Sequence, residues 1–91
     1  MQLTARDMAE GARNLAILRE ITVRHQHARL RIAGKTVSVD AQTANMLVAV
    51  HDALRSDNQP KFEGMLAHSG ATFSRLVDFG WGHVKTSRER R

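Results

Sequence analysis

Residues 28–40 read ARLRIAGKTVSVD, and their alternation decides the fold. Side chains along a strand point to opposite faces with period two. If the chain reverses at Gly34, then Leu30, Ile32, Val37 and Val39 share one face. A two-residue turn at Gly34-Lys35 pairs Ala33 with Thr36, Ile32 with Val37, Arg31 with Ser38, Leu30 with Val39 and Arg29 with Asp40. Glycine at the first turn position suits a type II′ hairpin. Arg29, Arg31, Thr36 and Ser38 then occupy the opposite face, with Asp40 placed to neutralise part of Arg29.

Upstream the alternation slips. Ile21 and Val23 are out of phase with Ala28, Leu30 and Ile32, which predicts a loop or bulge near His25 to His27. Before it, Thr4 with Asp7 three residues on marks a helix start, and Leu3 and Met8 stand where a hydrophobic staple forms. The helix is expected from Ala5 to about Arg19, with Met8, Ala12, Leu15 and Leu18 as its apolar stripe. Ile17 flanks that stripe, and Arg6, Glu10, Arg13 and Asn14 face water. Gly11 weakens such a helix by up to about 1 kcal/mol relative to Ala.

Downstream, Asp40 has the position and chemistry of an N-cap for a helix from Ala41 to about Arg55. Its apolar face centres on Thr43, Leu47, Val50 and Leu54, flanked by Ala44, Met46, Val48 and Ala53, a stripe wide enough for a central helix. Residues 56–60, SDNQP, break the pattern, and Pro60 suits the first turn of a short helix carrying Phe62, Met65 and Leu66. Ser69-Gly70 ends it. A last helix from about Ala71 to Lys85 aligns Phe73, Leu76, Val77, Gly80, Trp81 and Val84, and residues 87–91 form a basic tail expected to fray.

The 91 residues suit one domain, placed at 1–86, because a chain this short buries too little surface for two cores. The absence of Cys removes disulfides and thiolate ligands as supports and fits a reducing compartment. No stretch approaches bilayer-spanning length and the N-terminus lacks a signal pattern, so a cytoplasmic location without membrane contact is expected. Fourteen Lys and Arg against nine Asp and Glu give a net charge of +5, and eleven of those cations are Arg. The guanidinium fork fits phosphate and carboxylate, so the balance leans towards polyanions or an acidic protein surface. Coding bias and solubility would yield the same composition.

Between Glu20 and Asp40 there is no carboxylate, while Arg24, Arg29, Arg31 and Lys35 occur there with His25 and His27. These four cations are the candidate nucleic-acid-binding residues. A solvated sheet edge keeps Lys and Arg for a different reason, to deter strand pairing. No aromatic is interleaved for base stacking, since Phe62, Phe73, Phe79 and Trp81 lie elsewhere. Phe79 sits about 120° from the Phe73, Val77, Val84 line, so with Trp81 it is the candidate protein interface. Completing a small core is the alternative role for that pair.

Other constellations lack the context their chemistry needs. Residues 61–79 have the outline of a helix-turn-helix, but its second helix offers only Thr72, Ser74 and Arg75 to a groove. His25 and His27 could begin a metal site only with a third ligand from His51, His68, His83 or a distant carboxylate. Ser69, His68 and Asp78 form a triad on paper without the elbow that would present it, and Gly34-Lys35-Thr36 lacks the glycines of a phosphate loop.

The expected architecture is α+β: an N-terminal helix, one antiparallel β-hairpin, then three helices packed on one face of the hairpin. Leu30, Ile32, Val37 and Val39 should meet Leu47, Val50, Leu54, Leu76 and Val77. The expected function is a small non-enzymatic basic binding module contacting a polyanion, nucleic acid first, through the hairpin. A protein-interaction or inhibitory module using the C-terminal aromatic helix, with a second copy as one candidate partner, is the alternative. No catalytic residue, metal, cofactor or small-molecule substrate is assigned.

Overall fold

The computed structural model describes residues 2–24 and 27–89, with side chains except those of 28 and 84–89. The elements follow in the order α1 (Ala5–Arg24), β1 (Ala28–Ile32), β2 (Lys35–Val39), α2 (Ala41–Ala53), α3 (Gln59–His68) and α4 (Gly70–Glu89). This is the expected α+β architecture. His25, where the bulge was expected, lies outside the described residues, as do Arg90, Arg91 and the Val84 side chain.

Each helix start has a chemical cause. Asp7 and Thr4 form a reciprocal cap: the Asp7 N–H donates to Thr4 Oγ1 at 3.1 Å and the Thr4 N–H to Asp7 Oδ2 at 3.0 Å. Asp40 caps α2, its Oδ1 accepting the Thr43 N–H at 2.8 Å. Pro60 sits in the first turn of α3, where its missing N–H is harmless. Ser69 ends α3 in extended backbone and at once caps α4, its Oγ accepting the Thr72 N–H at 3.1 Å.

The hairpin keeps its predicted faces but not its predicted register. Ile32 pairs with Lys35, Arg31 with Thr36, Leu30 with Val37, Arg29 with Ser38 and Ala28 with Val39. The turn is Ala33-Gly34, both in the left-handed region at φ 51° and 80°, as a type I′ turn requires. A slip of two residues preserves the parity of every side chain, which is why the same residues remain inside. Arg29 therefore stands opposite Ser38, and Asp40 is left to cap α2 instead of neutralising it.

α1 extends five residues beyond its expected end, so Ile21 is a buried helical residue and not a strand residue out of phase. Its buried face is Gly11, Asn14, Leu15, Leu18 and Ile21, a stripe rotated from the expected one, and Ala12 is exposed. Asn14, expected in water, is buried and donates from Nδ2 to the carbonyls of Arg31 and Leu66, each at 3.1 Å. Gly11 lets α1 lie close against α3: a Cβ there would overlap the Glu63 carbonyl. α2 stops at Ala53, where the His51 carbonyl accepts the Leu54 N–H at 3.1 Å, and Gln59 Nε2 donates to the carbonyls of His51 and Leu54 at 3.2 and 3.3 Å. α4 stays helical through Glu89, covering residues 87–89 where a frayed tail was expected.

Leu18, Leu30, Ile32, Leu47 and Leu66 are fully buried at the centre. Val39, Val50, Phe62, Phe73 and Leu76 join them, with Val37, Leu54 and Val77 partly buried against the cluster. Gly80 belongs to this interior because a Cβ there would strike Met46 Sδ. No helix among the described residues is long and apolar enough to cross a membrane.

Candidate anion-binding face

The structure separates the four candidate cations. In an antiparallel ladder alternate pairs exchange backbone bonds. With Ile32–Lys35, Leu30–Val37 and Ala28–Val39 in that role, the backbone groups of Arg29 and Arg31 point away from β2. α1 covers this edge, and Asn14 satisfies the Arg31 carbonyl. The Arg29 and Arg31 side chains lie on the hairpin face away from Leu30 and Ile32, and both are exposed.

α1 contributes a third cation to them. A groove of about 160 Å³ is lined by Glu10, Arg13, Asn14, Ile17, Arg29 and Arg31. Glu10 is partly engaged by Arg6, at 3.3 Å. Among the described residues the arginines held in ion pairs are Arg6, Arg19, Arg24 and Arg55, and Arg13, Arg29 and Arg31 are not. Three arginines therefore line one groove together with Glu10, which Arg6 partly compensates, a set of side chains suited to an oxyanion.

Arg24 and Lys35 stand apart. Arg24 ends α1 and meets Glu20 at 3.6 Å, one helical turn away. Lys35 pairs with Ile32, so it projects on the core-side face at the hairpin tip, where it is exposed. In the sequence Arg13 is one of several water-facing residues of α1, and nothing local singles it out. Recognising Gly11 and Asn14 as packing positions would have rotated α1 and brought Arg13 to the strand.

The aromatic candidates are both accessible, Phe79 at 58% and Trp81 at 41%. Trp81 thus leaves the core line on which the helical wheel placed it. Phe79 stacks on His83, ring centroids 6.3 Å apart.

The remaining titratable clusters brace the helices. Arg19 from α1 grips Asp52 through two bonds, of 2.7 and 3.0 Å. Asp52 Oδ1 faces His51 Nδ1 at 2.9 Å, and His51 Nε2 faces Glu63 Oε2 at 2.9 Å. The buried His51 ring meets the edge of Phe62. Bonding from Arg19 and then His51 holds the Asp52 carboxyl well below the usual carboxylate range, and the same pairing raises Arg19. His68 Nδ1 lies 2.9 Å from Asp7 Oδ2, and this bond first, then the bond from the Thr4 N–H, holds the Asp7 carboxyl below its ordinary value. Asp40 is lowered chiefly by the Thr43 N–H.

These contacts dispose of the paper constellations. His68 is drawn to Asp7 and the Ser69 hydroxyl caps α4, so the two do not form a triad with Asp78. Thr72 is buried and donates to the Met65 carbonyl at 3.0 Å, leaving only Ser74 and Arg75 of the helix-turn-helix reading exposed. Among the described residues no group of three His, Asp or Glu could hold a metal ion. No family model, curated protein or solved structure matches this chain.

Proposed function

We propose that the protein is a non-enzymatic binding module whose Arg13, Arg29 and Arg31 contact the phosphate backbone of a nucleic acid. The observation that supports the reading is that these three arginines, without a carboxylate ion pair among the described residues, line one groove formed by α1 and β1. Phosphate contacts supply affinity without sequence information, and the lack of an aromatic beside the ridge fits backbone contact better than base stacking. The net charge of +5 adds long-range attraction.

The test is binding of the full chain to a mixed DNA and RNA pool at low salt, compared with the triple variant Arg13→Ala, Arg29→Ala, Arg31→Ala. The variant should lose at least tenfold in affinity while Arg24→Ala, on the far end of α1, changes it little. Equal loss from both variants would mean diffuse charge and no site. An acidic protein surface is the other polyanion the ridge would fit, and absence of any nucleic-acid binding would favour it.

A second reading rests on the accessibility of Phe79 and Trp81, two of the chain's four aromatics. Exposed aromatics are typical of interface centres. It predicts a salt-insensitive protein complex that Trp81→Ala breaks.

A further inference from the structure

The edge of β2 is open. The alternation that turns Arg29 and Arg31 towards α1 turns the N–H and C=O groups of Thr36 and Ser38 outward on the other side of the hairpin. None of these four groups has a hydrogen bond among the described residues, and both side chains are exposed. Beside this edge runs a groove of about 350 Å³ between β2, the start of α2 and α4, floored by Val37, Val39, Phe73 and Val77 and rimmed by Asp40 and Asp78. A two-stranded sheet is marginal alone, and an unpaired edge is a template for another strand.

We propose that the occupant of this edge is β2 of a second copy, so that two chains form a four-stranded antiparallel sheet about a two-fold axis at Val37. The edge is self-complementary in that register. Thr36 faces the partner's Ser38 and Ser38 faces the partner's Thr36, and each pair exchanges two backbone bonds, which satisfies all four outward groups on both chains. Val37 meets the partner's Val37 across the axis, on the face that looks into the groove.

Charge selects the same arrangement. Lys35, set apart from the arginine ridge on the core-side face, comes opposite the partner's Val39. It reaches the end of the groove that Asp40 and Asp78 rim. Asp78 has no ion pair of its own among the described residues, so each chain offers an unpaired cation to an unpaired carboxylate. On the opposite face each cross-strand row would run Arg29, Ser38, the partner's Thr36, the partner's Arg31, with arginines at its ends about 14 Å apart. The dimer goes beyond the anion-binding reading and does not depend on it, because it is measured by mass without nucleic acid.

Sedimentation of the untagged chain should give a mass twice 10.2 kDa at high micromolar concentration. Ser38→Pro removes only an outward donor and leaves the ladder to β1 intact, so it should yield a folded monomer. If that variant does not fold, charge reversal carries the test. Lys35→Glu should weaken association about tenfold by making two symmetric contacts repulsive, and Lys35→Glu with Asp78→Lys should restore it. Val37→Cys, the only thiol in the chain, should cross-link to its copy on mild oxidation, since opposed residues of a non-hydrogen-bonded pair lie within disulfide reach. A monomeric wild type throughout, a folded Ser38→Pro that remains dimeric, or no rescue by the reversed pair would each overturn the proposal.

Discussion

Ala33 holds a backbone conformation that its side chain disfavours. At φ 51° it lies in the left-handed region, which costs an L-residue with a Cβ roughly 1–2 kcal/mol. Asn tolerates that region and makes the favoured Asn-Gly pair of a type I′ turn, so Ala33→Asn should raise stability by about 0.5–1 kcal/mol in urea unfolding. A loss of stability would argue for the II′ register instead. Glycine at 34 announced a turn in the sequence, but Ala33-Gly34 and Gly34-Lys35 both keep the valines and leucines inside, so side-chain parity could not choose between them. Asp52 sets a second test at this scale. A carboxylate whose folded-state pKa is depressed stabilises the fold in full above its unfolded value, about 4. That contribution drains away as pH falls through the folded value. The thermal stability of the wild type should therefore fall below about pH 4, by an amount that solvent screening of the half-exposed Asp52 keeps modest. Asp52→Asn should be less stable at pH 6 and show a shallower acid decline; parallel declines would show that the Arg19–Asp52–His51 chain contributes nothing.

Among the elements, α1 and α3 approach closely, and Gly11 makes it possible. Helix propensity alone favours Gly11→Ala by up to about 1 kcal/mol. The added methyl would enter the Glu63 carbonyl of α3, and backbone cannot move aside as a flexible side chain can. Gly11→Ala should therefore destabilise by about 1–3 kcal/mol in chemical denaturation, whereas a gain would mean the helices do not touch there. Asn14→Ala should cost about 1–3 kcal/mol by stranding the buried Leu66 carbonyl. These two residues explain why the face of α1 was misread. A count of apolar positions passes over glycine and asparagine, although backbone contact and a buried amide bridge require them. The helix starts marked by Thr4, Asp40 and Pro60 were legible because their causes are local. The end of α1 was not, since Ile21 is helical on account of the distant core it joins.

For the whole molecule, the order of elements and the composition of the core could be read from periodicity, because hydrophobic burial leaves a pattern in every element. The basic surface could be read only in part. Arg29 and Arg31 share a face by strand parity, but Arg13 joins them through the packing of α1 on β1, a contact across many residues of sequence. Arg24 and Lys35, close to them in sequence, fall elsewhere for the same reason. A groove lined by three arginines thus predicts a compact site of three charges and not a diffuse basic tract. The salt dependence of nucleic-acid affinity tests this most directly, because its slope counts the phosphates neutralised. Anisotropy of a labelled duplex titrated at several salt concentrations should give a slope of log K against log salt near −3, about −0.9 per phosphate. The slope should fall by about one with each of Arg13→Ala, Arg29→Ala and Arg31→Ala and stay unchanged with Arg24→Ala. No binding at low salt, or a slope indifferent to all three arginines, would contradict the account.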